Sequence, residues 1–207
     1  MVARTVGRSE QGRRDRRFAI LQAAIALFAR KGFAGTGISD IARAAGVSHG
    51  TVFLYFPSKE ALFHAAVLEP LQEFAARSVD IVDGDGAPAE RIRRLVREQV
   101  RGIAAERSYL QMVQAAIAQG EQFGDLTGEI GIIVDRVVVG LSELIATGIE
   151  AGALAPGSPI AIAASYIAYL NGIGLVILTT EDNPIWEDLI EQGLRLFAFT
   201  NGDHNDD

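Results

Sequence analysis

The chain of 207 residues contains no cysteine, which excludes a disulfide framework, a thiol nucleophile and every thiolate metal site, and fits a reducing compartment. Its three histidines, His49, His64 and His204, are too scattered in sequence to suggest a metal cluster, so no metal is expected. No glycine-rich phosphate loop, serine elbow or Ser/His/Asp arrangement is evident. The acidic pairs Glu181-Asp182 and Glu187-Asp188 stand beside expected helix starts, where the macrodipole favours negative charge without any acid/base role. The expectation is therefore no catalytic residue, no enzyme and no cofactor. Arginines crowd the opening segment, but the charge-free apolar run that an export signal requires does not follow them. Residues 151–180 carry no charge at all, yet Pro156, Gly157 and Pro159 break the run, Tyr166, Tyr169 and Asn171 interrupt its apolar part, and no basic flank adjoins it. That favours a buried or dimer-forming helix over a membrane span, in a cytoplasmic protein.

What is present is a foldable chain: 49% of its residues are hydrophobic and 22% charged, which suits one or two globular domains with a sizeable core. The net charge of -7 hides a strong asymmetry. Residues 1–59 hold ten Lys/Arg against three Asp/Glu, a balance of +7, and the remainder carries -14. A basic amino-terminal quarter on an acidic remainder suggests that one part meets a polyanion while the other has a different task.

Apolar residues recur at every third and fourth position and no stretch alternates, so the fold class is all-α, with about nine helices. The first covers residues 14–31, with Ile20, Ala24, Leu27 and Phe28 on its buried face and Gly32 as its terminator. Two short helices, 38–45 and 49–56, flank a turn made of Gly46, Val47 and Ser48, in which Ser48 caps the second. Ser58, after Pro57, caps a longer helix to about residue 79. Further helices are expected from Pro88 past Val100, over 109–119, over 126–151 ended by Gly152, and over 158–180 and 184–200. Three units follow from this pass: a helix-turn-helix domain with a basic arm over residues 1–60, a helical ligand-binding and dimerisation domain over 61–200, and an acidic, disordered tail over 201–207.

Two short helices joined by a glycine turn inside the basic region form a helix-turn-helix candidate, whose second helix would enter the major groove of double-stranded DNA. At 100° per residue, Val52 and Phe56 share a face that joins the core, while His49, Gly50, Phe53 and Leu54 cluster on a face that can read bases. Thr51 and Tyr55 lie at its flank, where hydroxyls can bond phosphates, and Lys59 adds a charge at the next helix start.

The segments FAILQAAIALFARKGF at 18–33, SDIARAAGVS at 39–48 and GTVFLYFPSKEAL at 50–62 resemble the tetracycline-repressor (TetR) family. The likeness is dense over residues 18–63 and thins to architecture beyond, where IEAGAL at 149–154 and the final helix pair are similar to the family's diverse carboxy-terminal half. The resemblance implies a homodimer on a near-palindromic operator and regulation by a small-molecule inducer. It also implies backbone contacts from Thr36, Ser48, Thr51, Tyr55 and Lys59, and base-facing positions at His49 and Gly50. Phe53 departs from the family pattern, which has tyrosine there, and Gly37 replaces the usual Thr or Ser at the start of the second helix.

Tyr109, Met112, Val113, Phe123, Tyr166 and Tyr169 are candidates to line a ligand cavity, although apolar residues at helical spacing also build cores. Asn171 joins them, because an amide in an apolar helix needs a partner in the interior, on a ligand or across a dimer interface. Ala164, Ala168 and Gly172, spaced four apart, would let two helices approach closely in a dimer. The reading is a homodimeric, ligand-responsive transcriptional repressor. The alternatives are a ligand-independent DNA-organising protein of the same fold and, further off, an enzyme.

Overall fold

The computed structural model describes residues 3–120, 123–176, 180 and 182–200. Among them the chain forms eight helices: α1 (Ala3–Lys31), α2 (Ile38–Ala44), α3 (His49–Tyr55), α4 (Lys59–Val82), α5 (Pro88–Ala118), α6 (Gly124–Glu150), α7 (Pro159–Val176) and α8 (Ile185–Arg195). The all-α class is as expected, and the only pairing of extended backbone among the described residues is an isolated bridge between Leu154 and Phe199. The tail at 201–207 lies outside the described residues.

Local chemistry accounts for most boundaries. Gly32 and Gly152 follow α1 and α6 at φ of 69° and 70°, a left-handed conformation that costs glycine little. The Oγ atoms of Ser48 and Ser58 accept the backbone N–H groups of Thr51 and Ala61, both at 3.1 Å, and so cap α3 and α4. Pro88 opens α5, where its missing N–H leaves no bond unmade.

Three boundaries differ from expectation. The first helix starts eleven residues earlier, at Ala3 rather than at residue 14, so Arg13, Arg14, Arg16 and Arg17 stand on one continuous helix with the core-facing Ile20. The helices expected over 88–100 and 109–119 are one helix, α5, kinked at Glu106, whose φ of -110° and ψ of 24° leave the helical region. The last helix stops at Arg195 rather than at residue 200. Beyond it Ala198 takes a φ of 46°, its carbonyl accepts from Ala155 N at 2.9 Å, and Thr200 N donates to Ala153 O at 3.1 Å. This return buries Phe197 completely, 5.1 Å from the Tyr166 ring, and full burial of a side chain of that size is worth about 1.5–3 kcal/mol.

Two hydrophobic cores result. The first joins α1, α2, α3 and the start of α4 to Tyr109, Met112, Val113 and Ala116 of α5 and to Leu126 and Ile130 of α6. The second joins the end of α4 and the first part of α5 to the second half of α6, α7, α8 and Phe197. Helix α7 is long and apolar enough to cross a membrane by length and composition. One of its faces buries Ala163, Tyr166, Leu170 and Ile173, while Ile160, Ala164, Ala168, Gly172 and Leu175 lie exposed on the other.

Candidate DNA-reading face and ligand cavity

Helix α3 is held from beneath by Val52 and Phe56, both buried, so its opposite face is presented outward. His49 and Gly50 are exposed there, with Phe53 and Leu54 at 41% and 77% exposure. The His49 and Phe53 rings meet edge-on at 5.2 Å, which fixes their mutual orientation across one helical turn. Ser48 and Thr51 hydroxyls are bonded to each other at 2.7 Å at the helix start. Thr51 and Tyr55 are half-buried at the flank. Beside them, Arg13 and Arg16 of α1 line a groove of about 530 Å³ together with Val47, Thr51, Leu54 and Tyr55.

Two of the residues expected at the DNA backbone make contacts within the protein. Thr36 is buried, and its hydroxyl is bonded to the carbonyls of Gly32 at 2.8 Å and Leu27 at 3.2 Å, so it closes the end of α1. The Lys59 ammonium lies 4.3 Å over the Phe33 ring, where cation and ring face attract. Arg13 and Arg16 are not among the residues that the sequence singles out for DNA contact; Arg13 falls one residue before the expected start of the first helix and Arg16 just inside it.

A cavity of about 570 Å³ lies among α1, α4, α5, α6 and α7, within the size range of small-molecule sites. Leu21, Ile25, Phe74, Ile103, Leu110 and Val137 give it apolar walls, and Arg14, Arg17, Arg77, Glu69, Glu73 and Glu106 supply its charged groups in equal numbers of each sign. Both helix interruptions border it: Pro70, inside α4, and Glu106, at the kink of α5. Arg17 is bonded to Glu69 through both guanidinium ends, with Nη1 donating to Oε2 at 2.9 Å. This pairing, its largest cause, raises the Arg17 pKa further above its already high value. The same guanidinium sits 4.9 Å from the centre of the Phe56 ring, at the end of α3.

Residues 20–66 match the family described as bacterial regulatory proteins, tetR family. The HTH-type transcriptional regulator RutR of Escherichia coli (strain K12) is 32% identical over 160 residues, covering 76% of this chain and 73% of RutR. The chain belongs to the tetR family. The HTH-type transcriptional repressor KstR2 of Mycobacterium tuberculosis (strain ATCC 25618 / H37Rv) is 35% identical over 99 residues, 48% of each chain. In fold, the chain matches AibR, crystallised with isovaleryl coenzyme A and operator DNA, at a TM-score of 0.73 and 21% identity, over 89% of this chain and all of AibR. This tetR-family protein is thus a transcriptional regulator of the DNA-binding, helix-turn-helix type.

Of the expected ligand residues, Tyr109 and Asn171 border the cavity of this tetR-family chain. The Tyr109 hydroxyl donates to Val67 O, one turn before Pro70, and burial pushes its pKa well above the usual tyrosine value. Asn171 is exposed, and its amide donates back to Ile167 O at 3.0 Å. Met112 and Val113 are packed in the first core, and Phe123 sits in an aromatic group 4.8 Å from Phe63 and 5.2 Å from Phe33. Tyr166 is fully buried in the second core with no partner for its hydroxyl, and the Tyr169 hydroxyl donates to Leu189 O at 2.5 Å. These five do not border the cavity, because helical spacing places core and pocket residues alike. The polar wall residues Gln99 and Gln114 gave no motif, only single amides among apolar neighbours.

Proposed function

We propose that this tetR-family chain is a cytoplasmic, homodimeric repressor that binds a palindromic operator and releases it when a small molecule fills the central cavity. Residues 1–60 read DNA, with His49, Gly50, Phe53 and Leu54 facing bases and Ser48, Thr51, Tyr55, Lys59, Arg13 and Arg16 near the backbone. Residues 61–200 sense and dimerise. The observation that carries the reading is Arg17, which touches the cavity, Glu69 of α4 and the Phe56 ring at the end of the reading helix. A ligand that shifts α4 against α1 therefore acts on α3 through one side chain, and α4 itself continues from α3 across only Phe56, Pro57 and Ser58. The dimer surface is the exposed side of α7, where Ala164, Ala168 and Gly172 permit close approach of a second copy.

The test is to select an operator from random duplex DNA, then titrate operator complexes with metabolite fractions while following fluorescence anisotropy. Release by a fraction, with tighter inducer binding in the absence of DNA by the same factor, is the expected result. Selection of an operator that no fraction releases would favour a DNA-organising protein without an inducer.

A further inference from the structure

The side chains that α3 turns outward carry little hydrogen-bonding chemistry. Its sequence, HGTVFLY over residues 49–55, holds no arginine, lysine, asparagine or glutamine, the types whose paired groups read guanine and adenine in the major groove. The Ser48 and Thr51 hydroxyls are bonded to each other at 2.7 Å. At 100° per residue, Leu54 points almost directly away from the buried Val52 and Phe56, and it is 77% exposed. Gly50 stands one turn before it on the same side, where a Cβ would meet nothing within 4 Å. Packing therefore does not demand a glycine there, although glycine weakens a helix relative to alanine. Its absent side chain leaves Leu54, which leans back towards the helix start, open to an approaching surface. Phe53, 41% exposed, flanks Leu54 and is steadied by the edge-on His49 ring at 5.2 Å.

Apolar side chains on a surface that meets DNA need an apolar feature opposite them, and in the major groove that feature is the C5-methyl of thymine. Arg13 and Arg16 border the same groove as Leu54, so a phosphate strand drawn to the arginines brings base edges against the leucine. We infer that this chain selects its DNA through methyl groups, with Leu54 and Phe53 each seated on the C5-methyl of a pyrimidine and His49 as the polar contact beside them. The inference rests on the reading of α3 as the base-facing helix and names what that helix recognises. Neither apolar side chain can bond the O4 acceptor of thymine or the N4 donor of cytosine, so 5-methylcytosine should serve in thymine's place. Deoxyuridine, which pairs as thymine does and lacks only the methyl, should not.

The test uses the full chain, an operator selected from random duplex DNA, and fluorescence anisotropy at fixed salt. Each thymine of the operator is replaced in turn by deoxyuridine. At one or two positions per half-site, loss of the methyl is expected to weaken binding roughly fourfold. Exchanging the same T·A pair for C·G should weaken binding as well, and methylation of that cytosine at C5 should recover about the same factor. In Leu54→Ala or Phe53→Ala the deoxyuridine penalty should vanish at the position that side chain covers; both side chains are exposed, so neither change opens a cavity in the core. Equal affinity for thymine and deoxyuridine at every position, with Leu54→Ala still shifting the preferred sequence, would overturn the methyl reading and keep α3 as the reading helix. A penalty that persists in both variants would place the methyl contact on another element and overturn the inference equally. Sequence preference unmoved in His49→Ala, Phe53→Ala and Leu54→Ala alike would overturn both the inference and the reading beneath it.

Discussion

Arg17 and Glu69 join α1 to α4 with both nitrogens of the guanidinium fork on both oxygens of the carboxylate, 52 residues apart in sequence and at the border of the central cavity. Because the Arg17 guanidinium also covers Phe56, the pair connects three helices, of which one is the proposed reading helix and another carries a proline beside the cavity.

The pair is partly exposed, with side-chain accessibilities of 42% and 32%, so solvent screening holds its contribution to stability to about 0.5–1 kcal/mol. A double-mutant cycle of Arg17→Ala and Glu69→Ala by urea unfolding should return a coupling of that size. The same variants should lose operator affinity by more than their stability change accounts for, since Phe56 loses its cover. Unchanged operator binding in Arg17→Ala would remove the pair from signal transmission.

On DNA, Arg16→Ala and Thr51→Ala should weaken operator and nonspecific duplex alike, with Arg16→Ala lowering the salt slope by about one phosphate contact. His49→Ala should instead compress the ratio between operator and nonspecific affinity. Dissociation constants over a salt series measure both effects, and a preserved ratio in His49→Ala would take that residue out of base reading.

Two buried tyrosines should behave oppositely on losing their hydroxyls. Tyr109→Phe removes a bond to Val67 O and should cost about 1 kcal/mol, whereas Tyr166→Phe removes a buried hydroxyl without a partner and should be neutral or stabilising by up to about 1 kcal/mol. Burial raises both pKa values above the ordinary 10.0. The folded state thus keeps protons that the unfolded state releases, so their contribution is complete below pH of about 10 and is lost as pH rises from there towards the folded values. Urea unfolding between pH 8 and 11, set beside the Tyr109→Phe/Tyr166→Phe double variant, should show the alkaline decline in the wild type and a shallower one in the variant (pH range chosen around the roughly 10 of free tyrosine).

For assembly, Ala168→Arg places a long charged side chain on the exposed side of α7 without disturbing its buried side. Sedimentation should find the wild type as a dimer and the variant as a monomer. A variant that stays dimeric would move the interface elsewhere.

Features whose cause lies within a few residues were legible in the sequence: Gly32 and Gly152 as terminators, Ser48 and Ser58 as caps, and Val52 and Phe56 as the inward side of α3. The kink at Glu106 was read as a break between two helices, since nothing local marks a helix that bends and continues. The Gln99–Ser78 hydrogen bond spans 21 residues and two helices, and the Arg17–Glu69 pair spans more, so both depend on how helices are rotated against each other, which periodicity along one helix does not encode. For the same reason Tyr166 and Tyr109 looked alike in sequence, although one fills a core and the other borders a cavity.

The first hydrophobic core does not end where the proposed DNA-reading segment ends: Ile20, Phe28, Phe56 and their neighbours share it with Tyr109, Met112, Ala116, Leu126 and Ile130. Reading and folding therefore have different borders in this chain. A chimera cut at residue 60 would transplant the recognition helix but leave half of its foundation behind, whereas swaps that preserve these α5 and α6 positions would carry it intact. Along the same two helices, Met112 and Ile130 pack into this shared core, while Ile103 and Val137 border the cavity.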